Sequence, residues 1–99
     1  MTYRVRFAEA ARDDLVRLYQ FQLERDVTVA DRALQALRKG MELLQEFPFT
    51  CRKAAADNPF LRELIVPFGA SGYVVLFEIE DQQTVTVLAI RHQLEDDYH

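Results

Sequence analysis

Tryptophan is absent from this chain of 99 residues, cysteine occurs once, and glycine and proline occur three times each. A lone Cys51 excludes an internal disulfide, so stability must come from an apolar core, and the expected compartment is a reducing cytoplasm. So few glycines leave no glycine-rich loop to cradle a phosphate or a dinucleotide. Long apolar runs are also missing. The longest are stretches such as Ile65-Val66-Pro67-Phe68, far below the ~20 residues of a membrane span. The start, Met1-Thr2-Tyr3-Arg4, lacks the apolar centre of a signal peptide.

A basic excess is lacking too. Lysine and arginine number 12 against 16 aspartates and glutamates, a net charge of −4. Residues 1–50 carry eight charges of each sign, whereas residues 51–99 carry four basic and eight acidic. Proteins that grip nucleic acid through its phosphates carry the opposite imbalance. Direct, specific nucleic-acid binding is therefore not expected. No Ser/His/Asp order, HExxH or P-loop occurs, and no cofactor is implied.

What is present suits one small globular domain, 1–99. Hydrophobic residues make up 49% and charged residues 28%, enough to bury ~65% of the unfolded surface at this size. Tyr3, Val5 and Phe7 alternate with Thr2, Arg4 and Arg6, which predicts a strand over 2–7. Ala8 to about Arg25 reads as a helix through Ala11, Leu15, Leu18 and Leu23, widened by Tyr19 and Phe21. A second helix follows a short Asp26-Val27 connection, with Thr28 as N-cap and Asp31 in a variant capping box. Its stripe runs Ala30, Ala33, Leu34, Leu37, Met41, Leu44 and Phe47, and Pro48 stops it. Residues 48–59 read as a loop. Strands are then predicted over Phe60–Pro67, Tyr73–Glu80 and Thr84–Arg91, with turns at Phe68–Gly72 and Asp81–Gln83. The order is β-α-α-β-β-β: an α+β fold, a helical hairpin on a mainly antiparallel four-stranded sheet.

The residues in that order resemble a known family. Tyr-x-Val-x-Phe opens the chain, Ala10-Ala11-x-Asp13-Asp14-Leu15 lies on the first helix, and Phe47-Pro48 closes the second. Leu61-Arg62-Glu63-Leu64, Gly72-Tyr73-Val74-Val75-Leu76-Phe77 and Val87-Leu88-Ala89-Ile90-Arg91-His92 follow. Together they resemble the RelE/ParE superfamily of toxins from bacterial type II toxin–antitoxin operons, over nearly the whole chain.

The resemblance implies two readings. ParE-like members poison DNA gyrase by protein–protein binding and do no covalent chemistry. RelE-like members cut mRNA on the ribosome, using cations across the sheet and a C-terminal tyrosine or histidine. That nuclease pattern is thin here. Val74 stands where the branch places an arginine, and Leu64 stands where it places a second lysine. Arg62, His92 and Tyr98 remain as candidate catalytic residues, beside the acidic Glu95-Asp96-Asp97. The resemblance therefore favours a ParE-like gyrase inhibitor held by a ParD-like antitoxin, causing growth arrest and serving plasmid stabilization. A degenerate toxin that only binds its antitoxin is a further alternative. Candidate residues for antitoxin or target are Leu18, Tyr19, Phe21, Arg62, Arg91 and His92. Arg62 also reads as an arginine paired with a carboxylate at the sheet edge. His92 with Asp96, Asp97 or His99 lacks a second ligand pair, so no metal site is expected. Cys51 reads as an inert thiol.

Overall fold

The computed structural model describes residues 2–94. Tyr98 and His99, and the acidic run before them, lie outside the described residues. Strand β1 (Arg4–Phe7) leads into helix α1 (Glu9–Leu23) and helix α2 (Val27–Glu46). A 3-10 turn (Pro48–Thr50) and strands β2 (Arg52–Ala55), β3 (Asn58–Phe68), β4 (Ser71–Ile79) and β5 (Thr84–His92) follow. The sheet has five strands in the order β1-β5-β4-β3-β2, antiparallel except where β1 runs parallel to β5. Both helices pack on one face of it. No helix among the described residues is long and apolar enough to cross a membrane.

The predicted order holds, with two corrections. The segment 48–59 is not simply a loop: it contains β2, so the sheet has five strands rather than the four expected. Arg52-Lys53-Ala54-Ala55 has no β-branched residue and gives no strand signal. It forms because the eleven-residue β3 offers an edge and because Arg52 pairs with Glu63 across the ladder at 3.0 Å. The N-cap of α2 is Asp26, not Thr28. Its Oδ1 accepts from the N–H groups of Thr28 at 2.7 Å and Val29 at 3.3 Å, satisfying donors that the helix itself cannot. Asp31 instead accepts from the Tyr19 hydroxyl at 3.2 Å and ties the two helices together.

The core lies between the helices and the sheet. Ala30, Ala33, Leu37 and Leu44 of α2 are buried at the spacing the sequence predicts. Each fully buried leucine contributes about 1.5–3 kcal/mol. Facing them are Val66 of β3, Tyr73, Val75, Phe77 and Ile79 of β4, and Val85 and Val87 of β5. The turn between β3 and β4 is two residues, Gly69-Ala70, closed by the pair Phe68 and Ser71. Gly69 has φ +61°, as a type II′ turn asks of its first central residue.

One irregularity decides which residues of β5 reach the helices. Leu76 pairs with Ala89 but Phe77 pairs with Val87, so Leu88 is an extra residue on β5. Such a bulge shifts the alternation by one. Before it Val85 and Val87 face the helices; after it Ile90 and His92 do. Asp14 of α1 holds this point. It is 3% exposed, and its Oδ2 accepts from the Ile90 N–H at 2.9 Å, with the Arg17 guanidinium 3.6 Å from the other oxygen. Asp14→Ala strands that buried N–H, and its expected cost is about 1–3 kcal/mol in urea unfolding. Asp14→Asn keeps an acceptor there and should recover most of the loss.

Candidate functional site

The last two turns of α1 lean over the ends of β4 and β5 and leave a groove of about 470 Å³ between them. Leu18 and Phe21 of α1 line its apolar side, Tyr73 and His92 of the sheet line the other, and Leu94 closes one end. Arg17, Gln22 and Arg25 form a polar, cationic rim. The α1 stripe explains the layout. Ala11, Asp14 and Leu18 fall on the sheet-facing side at three- and four-residue spacing, and one turn further on the helix outruns the strands.

Leu18 is 6% exposed, so it is a floor residue of the groove rather than the exposed contact expected of it. Phe21 is 54% exposed, with the Arg25 guanidinium 5.6 Å from its ring centre. Tyr19 points the other way, toward α2. Partial burial, then the hydrogen bond to Asp31 and its charge, raise the Tyr19 phenol above its ordinary value.

His92 is tightly placed. The Leu94 N–H donates to its Nδ1 at 3.2 Å, so in the neutral ring the proton sits on Nε2, which lies 2.9 Å from the Ser71 hydroxyl. Its ring meets Tyr73 edge-on at 5.8 Å, and Gln22 donates to the Tyr73 hydroxyl at 3.3 Å. Leu18, Phe21 and His92 are therefore gathered into one groove. Arg91, next in sequence to His92, is on the opposite face of β5, in register with Val74.

Arg62 stands apart from all of these. Phe77, its partner on β4, is four residues from Tyr73, the partner of His92. That is about 14 Å along the strand. Nor is its partner the carboxylate expected at a sheet edge. Its Nε donates to the Pro59 carbonyl at 2.6 Å, and Nη1 donates to the carbonyls of Cys51 at 2.8 Å and Phe49 at 3.2 Å. Its guanidinium also sits 5.4 Å from the Phe49 ring centre. Glu63 pairs with Arg52 instead. Cys51, 8% exposed, lies within this clamp. Burial pushes its thiol up, partly countered by the Arg62 charge and a hydrogen bond with Thr50, which suits an unreactive side chain.

A second groove of about 500 Å³ runs between α2 and the outer edge of β3. Strand β2 pairs with β3 only as far as Glu63, so Leu64–Phe68 have a ladder partner on the β4 side alone among the described residues. Ala36, Gly40 and Leu43 line the helix side, and Arg32 and Lys39 give the rim positive charge. Gly40 lets the sheet come near: a Cβ there would stand 3.0 Å from methyl groups of Leu64 and Val66. The extent of this groove depends on where β2 ends, which hydropathy does not report.

Two largely apolar grooves with cationic rims, one beside an open strand edge, are the candidate binding surfaces of this small α+β module. The chain belongs to the ParE toxin family of type II toxin–antitoxin systems, whose family model (parDE) matches residues 5–97. Among proteins of Caulobacter vibrioides, it is 34% identical to Toxin RelE3 over 91 residues, spanning 92% of this chain and 95% of that one. It is also 34% identical to Toxin RelE1 over 95 residues, spanning 96% and 98%. A solved structure of the chromosomal ParDE system from P. aeruginosa shares the fold, with a TM-score of 0.70 at 16% identity over 91% of this chain and 95% of that one. The chain is thus a type II toxin of the ParE/RelE family, and an antitoxin partner goes with that family.

Proposed function

We propose that this toxin acts as a ParE-like inhibitor of DNA gyrase in the cytoplasm, by protein–protein binding, and that a ParD-like antitoxin neutralises it. The observation that carries this reading is the placement of Arg62. Stabilising a phosphate during RNA cleavage needs cations aimed at one point. Arg62 instead directs its donors to three backbone carbonyls, far from His92. Val74, at the position where the nuclease branch carries arginine, is 2% exposed. The net charge of −4 points the same way.

The antitoxin is assigned to the two grooves. An amphipathic helix can lay its apolar face on Phe21 and Leu94, over the floor made by Leu18 and Tyr73, and an extended stretch can add backbone pairing along Leu64–Phe68. Arg17, Arg25, Arg32 and Lys39 on the rims favour an acidic partner.

The test is a supercoiling assay with purified gyrase, relaxed plasmid, ATP and the toxin freed of antitoxin. The expected result is loss of supercoiling with accumulation of linear, cleaved plasmid, reversed by added antitoxin. Normal supercoiling at a large excess of folded toxin would overturn the reading. Codon-resolved mRNA cleavage on ribosomes would then become the reaction to measure, with Arg62, His92 and Tyr98 as the first substitutions.

A further inference from the structure

At the far end of the sheet from the His92 groove is a third hollow, of about 320 Å³. Phe49 and Phe60 form its aromatic wall, with Tyr3 beside them and Ile79 beneath. Glu80, Asp81 and Gln82 form its rim. We propose that this hollow docks an arginine- or lysine-bearing apolar segment of the protein on which the toxin acts. The proposal rests on the reading of the chain as a toxin that works by protein–protein contact.

The wall is both exposed and fixed. Phe49 is 48% exposed and Phe60 50%, and their rings meet edge-on at 6.2 Å. Phe49 is steadied from the chain side, because Arg62 bonds its carbonyl and stacks against its ring. Aromatic side chains left in water yet braced by such contacts give contact area at a reduced ordering cost, which is the pattern of interface anchors.

The rim supplies the sign of the partner. Glu80 and Asp81 are exposed and in no ion pair among the described residues. Their local bonds hold them in place: Glu80 Oε2 accepts from the Thr86 hydroxyl at 2.6 Å, and Asp81 Oδ1 from the Gln83 N–H at 2.7 Å. Neither Arg62 nor Arg4 lines the hollow. Arg62 already occupies a face of the Phe49 ring, so a cation entering the hollow meets the Phe60 ring together with the Glu80 and Asp81 carboxylates, each of which attracts it. A phosphate would be repelled, so the occupant is a protein segment rather than nucleic acid. Charge also separates this hollow from the two cationic grooves given to the antitoxin. Ile79 and Tyr73 are six residues apart on β4, which puts the hollow about 20 Å from the His92 groove. Target and antitoxin thus meet different ends of the sheet.

Two measurements test this. The first uses NMR on isotope-labelled full-length toxin, titrated with the blocked peptide Leu-Arg-Leu and with its neutral citrulline analogue. The expected result is shifts confined to the lining of the hollow, Tyr3, Phe49, Phe60 and Ile79–Gln82, with the arginine peptide, and lost with citrulline. Shifts elsewhere, no shifts, or equal shifts with both peptides overturn the proposal. The second uses the double variant Glu80→Gln/Asp81→Asn, which removes both charges but keeps an acceptor oxygen for Thr86 and Gln83. It should weaken growth arrest and target inhibition about tenfold while leaving antitoxin affinity within about twofold. Undiminished toxicity, or a parallel loss of antitoxin affinity, overturns it. A wild-type chain that neither arrests growth nor inhibits gyrase would overturn the proposed gyrase inhibition instead, and the peptide titration would then decide the docking site alone.

Discussion

Gly72→Ala should cost about 3 kcal/mol of unfolding free energy, the upper end of what forced overpacking does. A Cβ at Gly72 would run into the carbonyl oxygen of Val66 and stand 3.1 Å from both the Phe68 nitrogen and the Pro67 Cα. All three are backbone atoms on the neighbouring strand, so no side chain can rotate to make room. Relief would require separating β3 from β4 where they are most tightly joined, next to their two-residue turn. A domain of this size has about 5–15 kcal/mol in total, so a large share of its stability is lost. The midpoint of thermal unfolding should fall by at least about 12 °C. Gly69→Ala is the matched control. Gly69 needs its positive φ but has no atom within 4 Å of a built Cβ, so it should lose only about 1–2 kcal/mol. A Gly72→Ala protein that melts like the wild type would mean that the two strands are not this close. The groove depends on the same contact, because the Gly72 carbonyl accepts from the Gln93 N–H at 2.8 Å, just beyond His92.

How much of this was legible in the sequence follows from where each element gets its stability. The α2 stripe and the alternation in β1 and β4 report burial directly, and burial is what holds those elements. The resemblance to the toxin family, the element order and the α+β class all rested on such residues, and all hold. Strand β2 was illegible because its stability comes from the edge of β3 and an ion pair rather than from its own side chains. The Asp26 cap lost out to Thr28 because both residue types cap well, and only the geometry of the hairpin chooses between them.

The candidate site was harder to read, for a single physical reason. Strict alternation along β5 from Val85 and Val87 puts Ala89 and Arg91 on the helix side. The bulge at Leu88 reverses that and delivers His92 to the groove while Arg91 goes to the other face. A one-residue slip of this kind leaves no mark in hydropathy, since Leu88, Ala89 and Ile90 are all apolar. Its one trace was Asp14, a second acidic residue in the first helix motif, which is the acceptor for the Ile90 N–H. A carboxylate on the buried stripe of a helix is the observation that could have pointed to it.

Arg62→Ala is expected to lower stability by about 2–3 kcal/mol, since hydrogen bonds from a charged donor are each worth about 1.5–3 and neighbouring ones do not add in full. The loss falls on the 3-10 turn and on the wall of the aromatic hollow, because Arg62 holds the carbonyls of Phe49 and Cys51 from one side and that of Pro59 from the other. Arg62→Lys should recover little. A single ammonium cannot reproduce the planar fork that reaches carbonyls in three directions, nor its stacking on Phe49. A phosphate-binding arginine would behave in the opposite way. Removing a surface cation changes stability by no more than about 0.5 kcal/mol, while activity falls and its salt dependence weakens. Urea unfolding of both variants, set beside growth arrest at matched folded protein, separates the two roles. Lower stability with toxicity that tracks the folded fraction fits a clamp. Unchanged stability with lost toxicity would return Arg62 to the nuclease reading and remove the observation on which the gyrase proposal stands.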